Sequence, residues 1–279
     1  MRGAQMLEAL RRVRRRPVRA LRRPAQVPLT LFEAGYLTRR RGADPGELVF
    51  AAVDLETTGL DPRSDRVCEI GVIRFRADGT VLTEFASVLD PQRPMDATEF
   101  HGLDEAHVRG APTFAEVLPQ IGPLLADAVV VAHNLAFEDA FLAAEIRRAG
   151  RDLSPRPPGL CTLVTARAQL EGPGYGLATL YRSLTDAPLV DAHTALGDAR
   201  ATAELLTALL AQAPSPLRYA GPRPGPEARG PAVPPRGRTA ARPVGPGRGT
   251  PPAEDDPRPR HSWRRKELAP AWGRCDPVG

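Results

Sequence analysis

The sequence predicts an α/β fold, a mixed sheet flanked by helices, with a basic arm on either side of it. Three observations carry that reading. Residues 48–53 and 129–132 are short, wholly apolar runs of the kind that sit in the middle of a sheet. Residues 67–75 and 81–89 alternate and flank Asp78-Gly79, which supplies the positive φ angles of a hairpin turn. Beyond Pro112 apolar residues at helical spacing are interleaved with a further strand signal, the order expected when helices cover the faces of a sheet.

Charge divides the 279 residues into three parts. Residues 1–41 hold 12 Arg against 2 acids, residues 42–212 hold 13 Arg against 25 acids, and residues 213–279 hold 13 Arg and Lys against 6 acids. The overall net charge of +5 therefore hides an acidic centre suited to cations and two basic arms able to approach a polyanion. Lys266 is the only lysine, a mark of a GC-rich coding sequence, so arginine content by itself says little about nucleic acid. Cys68, Cys161 and Cys275 are odd in number and widely spaced, which fits a reducing compartment and excludes a thiolate zinc site. No stretch approaches the roughly 18 apolar residues of a membrane span. No secretory segment follows the N-terminal arginines, so a cytoplasmic protein is expected.

In chain order, residues 1–23 place Met6, Leu7, Leu10, Val13, Val18 and Leu21 at roughly helical spacing among arginines. A basic amphipathic helix broken at Pro17 competes there with a disordered arm. The strand at residues 48–53 runs into Asp54-Leu55-Glu56-Thr57-Thr58-Gly59, and alternation puts Asp54 and Glu56 on one face. Residues 61–65 form a loop, and the two alternating strands after it complete a three-stranded meander. Phe100-His101-Gly102-Leu103 reads as a loop, with His101 and His107 as loop or surface residues. Thr113 N-caps a helix to about Leu125. The strand at 129–132 ends at His133-Asn134 and leads into a helix over 136–149, with Phe137, Phe141, Leu142 and Ile146 on one face and Glu138 in the first turn. Residues 150–160 read as a Pro-rich connection, 161–170 and 177–184 as helices, and 193–210 as the closing helix.

From Ala213 onward the chain carries 16 of its 31 prolines and little aliphatic content, so residues 213–279 read as a disordered tail. Within it His261-Ser262-Trp263-Arg264-Arg265-Lys266 and Trp272 form an aromatic, basic cluster. Such a cluster suits stacking on single-stranded nucleic acid or docking on a partner, and an uncommitted tail fits equally well.

Four carboxylates recur at the ends of elements: Asp54 and Glu56, Glu138, and Asp198. Two carboxylates on one strand face repel each other and are costly to bury unpaired, a conflict that a divalent cation resolves. Taken alone, Asp-x-Glu before Thr-Thr-Gly is more often a strand ending in a polar turn. His193 precedes Asp198 by five residues, more than one helical turn, so it belongs at the start of the closing helix rather than stacked on the acid.

Together Asp54-Leu55-Glu56-Thr57-Thr58-Gly59, His133-Asn134-x-x-Phe137 and His193 with Asp198 resemble the three motifs of the DnaQ-like 3′-to-5′ exonucleases. The histidine places the resemblance in the DEDDh branch, which includes the proofreading subunit of bacterial DNA polymerase III. It spans residues 48–212 and touches His101-Gly102-Leu103, Pro112-Thr113-Phe114 and Cys161-Thr162-Leu163. It implies a ribonuclease H-like mixed five-stranded sheet in an exonuclease domain at 46–212, with a partly helical basic arm at 1–45 and the tail at 213–279 outside it.

The resemblance further implies hydrolysis of phosphodiesters from a 3′ end to nucleoside 5′-monophosphates, DNA favoured, with two Mg²⁺ or Mn²⁺ ions. Asp54, Glu56, Glu138 and Asp198 would be the ligands and His193 the general base, while Thr57, Thr58, Gly59, Leu60, Asn134 and Phe137 would meet the terminal nucleotide. A polymerase or repair partner could engage the arms. One position departs from the family: where it has Asp after His-Asn-x-x-Phe, this chain has Glu138 followed by Asp139. Motif register favours Glu138, because Asp139 points about 100° further round the helix. Two other functions remain open at this point. One is an RNA-trimming or oligoribonucleotide exonuclease; the other is a catalytically impaired fold that works through its arms as a nucleic-acid-binding or partner-docking module.

Overall fold

The computed structural model describes residues 29–152, 156–172, 174–224, 237–242 and 264–265. In order these form β1 (Glu33–Thr38), a 3₁₀ turn (Pro45–Glu47), β2 (Val49–Thr57), β3 (Val67–Arg76), β4 (Val81–Val88), α1 (Thr98–His101), α2 (Glu105–Val108), α3 (Phe114–Ala126) and β5 (Val129–Ala132). They continue with α4 (Leu135–Arg148), β6 (Pro158–Cys161), α5 (Thr162–Gln169), β7 (Leu170–Glu171), α6 (Leu177–Thr185), α7 (Ala195–Ala211), β8 (Arg218–Ala220) and β9 (Arg264–Arg265).

The main sheet has seven strands in the order β4-β3-β2-β5-β6-β1-β8. The meander holds: β2 pairs antiparallel with β3, and β3 with β4. Gly79 takes φ +91° in the connection, as the Asp-Gly turn requires. β2 also pairs parallel with β5, so both strands end at the same edge of the sheet.

Alternation then sorts the side chains. Val49, Ala51, Val53 and Leu55 join one core with α3 and α4 through Phe114, Ile121, Phe141 and Leu142. Phe50 and Ala52 join the other with Ile73, Phe75 and Ala199, Ala203 and Leu206 of α7. Asp54 and Glu56 continue the second register, so they point to the face that α7 covers. β2 is nine residues long, which puts both acids inside the strand rather than after it.

Five strands were expected and seven are found. β6 lies within the segment read as a Pro-rich connection, and β1 and β8 come from the segments read as arm and tail. Their signals are long-range. β6 pairs parallel with β5 and β1, and a Cβ at Gly159 would lie 2.8 Å from Leu135 and 3.0 Å from Phe32, so the strand is packed closely there by residues distant in sequence. A Cβ at Gly35 would lie 2.3 Å from the hydroxyl oxygen of Tyr219, which covers β1 from β8. The expected basic helix at 1–23 lies outside the described residues, as does the 261–272 cluster apart from Arg264 and Arg265. Those two pair with Glu171 and Leu170 in a second, two-stranded sheet.

His101 is neither in a loop nor at the surface. It ends α1, is 2% exposed, and accepts the Leu103 N–H on Nδ1 at 3.1 Å.

Asp139 ties the N-terminal segment to the domain. Its carboxylate accepts the N–H groups of Thr30, Leu31 and Phe32 at 2.7, 2.9 and 2.9 Å and the Thr30 hydroxyl at 2.9 Å. Asp139→Ala would strand these donors, so it is expected to lower stability by about 2–4 kcal/mol in urea unfolding. A loss below about 0.5 kcal/mol, the scatter of ordinary surface changes, would contradict the tie.

Candidate active site

Three element ends converge where β2 finishes. Asp54 and Glu56 arrive on β2. β5 delivers its chain into α4, whose first turn carries Glu138. α7 brings Asp198 in its own first turn, capped by Thr194, whose hydroxyl accepts the Gly197 N–H at 3.0 Å. Close backbone packing sets the approach of α7. Gly71, the cross-strand partner of Asp54, has no side chain, and a Cβ there would lie 2.3 Å from the carbonyl oxygen of Ala195. Any larger residue would push the first turn of α7 off the sheet.

Asp54, Glu56 and Asp198 each offer a carboxylate oxygen, and these atoms lie within 4.8 Å of one another. Burial, followed by the charges of Glu138, Asp198, Glu56 and Glu69, pushes the Asp54 carboxyl well above the usual range. Glu56 is pushed to about 8, chiefly by burial and then by Asp198 and Glu69, with Arg242 opposing. Glu138 is pushed to about 8 by burial. Asp198 is raised by burial too, against a backbone N–H from His193.

Glu138 Oε2 and Asp198 Oδ1 are buried and have no hydrogen-bond partner among the described residues. Hard oxygen donors, mutual repulsion and two orphaned oxygens are what a divalent cation of the Mg²⁺ or Mn²⁺ type satisfies, so the residues present fit such an ion.

The adjacent acids of α4 separate cleanly. Asp139 is spent on residues 30–32, while the Glu138 charge acts on Asp54. Glu138 stands outside the tight group of three oxygens. His193 is exposed at the turn before the cap, with φ +62°, and its N–H donates to Asp198 Oδ2 at 3.3 Å.

Thr57 and Thr58 are buried, and the loop after them is held by Asp65. The Asp65 carboxylate accepts the Asp61 N–H at 2.9 Å and lies where a Gly59 side chain would be. Leu60 is 84% exposed at its tip. Asn134 is exposed at the start of α4, and Phe137 packs on Phe141 with ring centroids 4.7 Å apart. His133, part of the second motif, is a brace: its ring nitrogens meet Thr162 Oγ1 at 3.0 Å and the Tyr175 carbonyl at 2.7 Å.

Two residues at the site escaped the sequence reading. Glu69 faces Glu56 across β2 and β3 and is 2% exposed. An acid within the apolar first part of the strand, Val67 to Ile73, was its visible signal. Arg242 pairs with Glu69 from within the tail, and nothing local marks it.

The raised carboxyls set a pH dependence. A proton that the folded chain keeps up to about 8 is lost by the unfolded chain near 4.5, so the stability it supplies is complete below 4.5 and lost through about 8. With chelator present, Tm is expected to fall as pH rises across that window. Mn²⁺ should reverse the fall near the upper end, because it binds the ionised folded site. A flat profile under chelation would contradict the burial of these acids.

Residues 51–206 match the RNase T family, described as exonuclease. A Mycobacterium tuberculosis protein provisionally named a bifunctional exonuclease/endonuclease is 40% identical over 59% of this chain and 27% of its own length. A DNA polymerase III subunit epsilon-like protein of Rhodobacter capsulatus is 36% identical over 59% of this chain and 24% of its own. A PolC-type DNA polymerase III of Thermotoga maritima is 32% identical over 57% of this chain and 12% of its own. The chain thus spans about a quarter or less of the length of these relatives. Among solved structures, product-bound exonuclease I superposes with a TM-score of 0.52 at 18% identity, covering 61% of this chain and 44% of that one. The family match covers more than half of the chain and takes in every acid of the site, and the protein belongs to the exonuclease family of the DnaQ-like superfamily.

Proposed function

We propose that the chain is a metal-dependent 3′-to-5′ exonuclease of the DEDDh type, acting on single-stranded DNA ends and releasing nucleoside 5′-monophosphates. The observation that carries this reading is the group of three carboxylate oxygens within 4.8 Å of one another, together with a buried oxygen of Glu138 that has no partner among the described residues. Relatives named as DNA polymerase III proteins favour DNA over RNA and a polymerase or repair setting. Among the described residues no helix is long and apolar enough to cross a membrane.

Asp54, Glu56 and Asp198 would hold Mg²⁺ or Mn²⁺, two ions in all, with Glu138 contributing from the α4 side. Bound there, the cations offset the negative charge that builds on the phosphodiester as it is attacked. His193, at the rim beside Asp198, takes the proton of the attacking water as the phosphorus–oxygen bond to the penultimate nucleotide breaks. That 3′ oxygen leaves with a proton from solvent, and the terminal nucleotide departs as its 5′-monophosphate. Leu60 and Phe137 supply apolar surface for the terminal base. Asn134 and the backbone of Thr57 to Gly59 supply polar groups that fix the end. Before cations bind, the acidic cluster repels a phosphate chain, so substrate follows metal.

Asp54→Ala is expected to abolish Mn²⁺-dependent shortening of a 3′-labelled strand, and retained activity would sink the assignment. His193→Ala should cut kcat by roughly 10²–10⁴-fold, the usual worth of a general base, while Mn²⁺ affinity in calorimetry stays within about twofold. Loss of metal binding in that variant would make the histidine a ligand instead. Matched single-stranded DNA and RNA should differ in favour of DNA, and preference for RNA would reassign the substrate.

A further inference from the structure

Glu69 is a buried carboxylate that the hydrolysis proposed above does not use. It stands on β3 opposite Glu56, on the sheet face that α7 covers. Glu69 Oε2 accepts the N–H of Ala195, the first residue of α7, at 3.2 Å. The same oxygen receives Nη1 of Arg242, whose Nη2 donates to the His101 carbonyl.

The segment that carries Arg242 is seated on the domain by its backbone. The Val88 N–H donates to the Ala240 carbonyl at 2.9 Å, and the Ala240 N–H donates to Ser87 Oγ at 3.0 Å. Gln120 Nε2 donates to the Arg238 carbonyl at 3.1 Å. Ala240 packs on the cluster of Cys68, Val88 and Leu103. The segment itself lies well past residue 206, where the family match ends.

We infer that Arg242 is a positioning residue of the active site, supplied by the tail, which holds Glu69 in place and through it fixes the first turn of α7 with Asp198 and His193. The inference rests on the carboxylate site described above.

The physical case is electrostatic. Glu69 faces Glu56, a group of its own sign, across the two strands, and Arg242 is a cation paired with it. Without the guanidinium, Oε2 loses the donor that fixes it, and the carboxylate is free to turn away from the Ala195 N–H. Because Gly71 brings the backbones of β3 and α7 into contact, a shift of that turn displaces Asp198 relative to Asp54.

A competing role would have the opposite sign. A guanidinium that merely stood in for a cation would weaken metal binding, and its removal would tighten it.

The test uses the full chain as wild type, Arg242→Gln, Arg242→Lys, Glu69→Gln and the double variant Arg242→Gln/Glu69→Gln. Amide hydrogen exchange at Ala195, read without metal or nucleic acid, is expected to speed up on the order of tenfold in Arg242→Gln, the worth of a charge-assisted hydrogen bond. Mn²⁺ affinity in calorimetry should weaken about as much, and kcat should fall more than KM rises. Arg242→Lys should recover most of each, since an ammonium still pairs with Glu69. The double variant should be no worse than Glu69→Gln alone, because both act through one contact.

Unchanged exchange at Ala195 in Arg242→Gln overturns the inference, and so does tighter Mn²⁺ binding in that variant. Should wild type bind no Mn²⁺, the metal reading fails by itself, and the exchange measurement still decides the role of Arg242.

Discussion

The constraint on which the rest of the structure depends is the mutual repulsion of carboxylates held beside one another at the end of β2. Asp54, Glu56 and Asp198 bring oxygens within 4.8 Å, and burial strips away the water that would otherwise screen them. The surrounding fold reads as a set of devices that make this tolerable. Glu138 and Asp198 both sit in the first turn of a helix, where unpaired N–H groups and the macrodipole favour negative charge. Arg242 brings one fixed positive charge to Glu69, the neighbouring acid. What these devices leave over is a cluster of hard oxygen donors, and a divalent cation is the partner that completes it.

Much of this was legible in the sequence because it is local. An apolar run with period-two alternation puts Asp54 and Glu56 on one face, and the Asp78-Gly79 turn fixes the antiparallel partner that carries Glu69 and Gly71. The Thr113 cap, the start of α4 and the run of α7 follow from caps and helical spacing. Less legible were contacts made at a distance. β1 and β8 lie toward one edge of the sheet, and the contact that seats them, Gly35 against Tyr219, joins residues far apart in sequence. β6 hides in a Pro-rich stretch. His101 reads as a loop residue because nothing beside it in sequence shows that Cys68, 33 residues earlier, meets its ring.

The arms proved less separate from the domain than their composition suggests. Residues 30–32 spend their N–H groups on Asp139, so the two adjacent acids on α4 have separate roles: one is hydrogen-bonded to the N-terminal segment, the other faces the site. At the other end, residues 218–220 extend the sheet and residues 237–242 reach the acidic cluster. A domain drawn only from the family match would omit each of these contacts. Proline and arginine content averages over a whole segment, whereas these segments dock through a few placed groups: backbone hydrogen bonds, guanidinium contacts such as that of Arg242, and buried side chains such as Phe32 and Tyr219.

The most direct measurement of the central claim is anomalous diffraction from crystals of the full chain grown with Mn²⁺. Manganese signal is predicted among the carboxylates of Asp54, Glu56 and Asp198, with Glu138 facing it. Signal confined to exposed acids, or none at the cluster, would contradict the account.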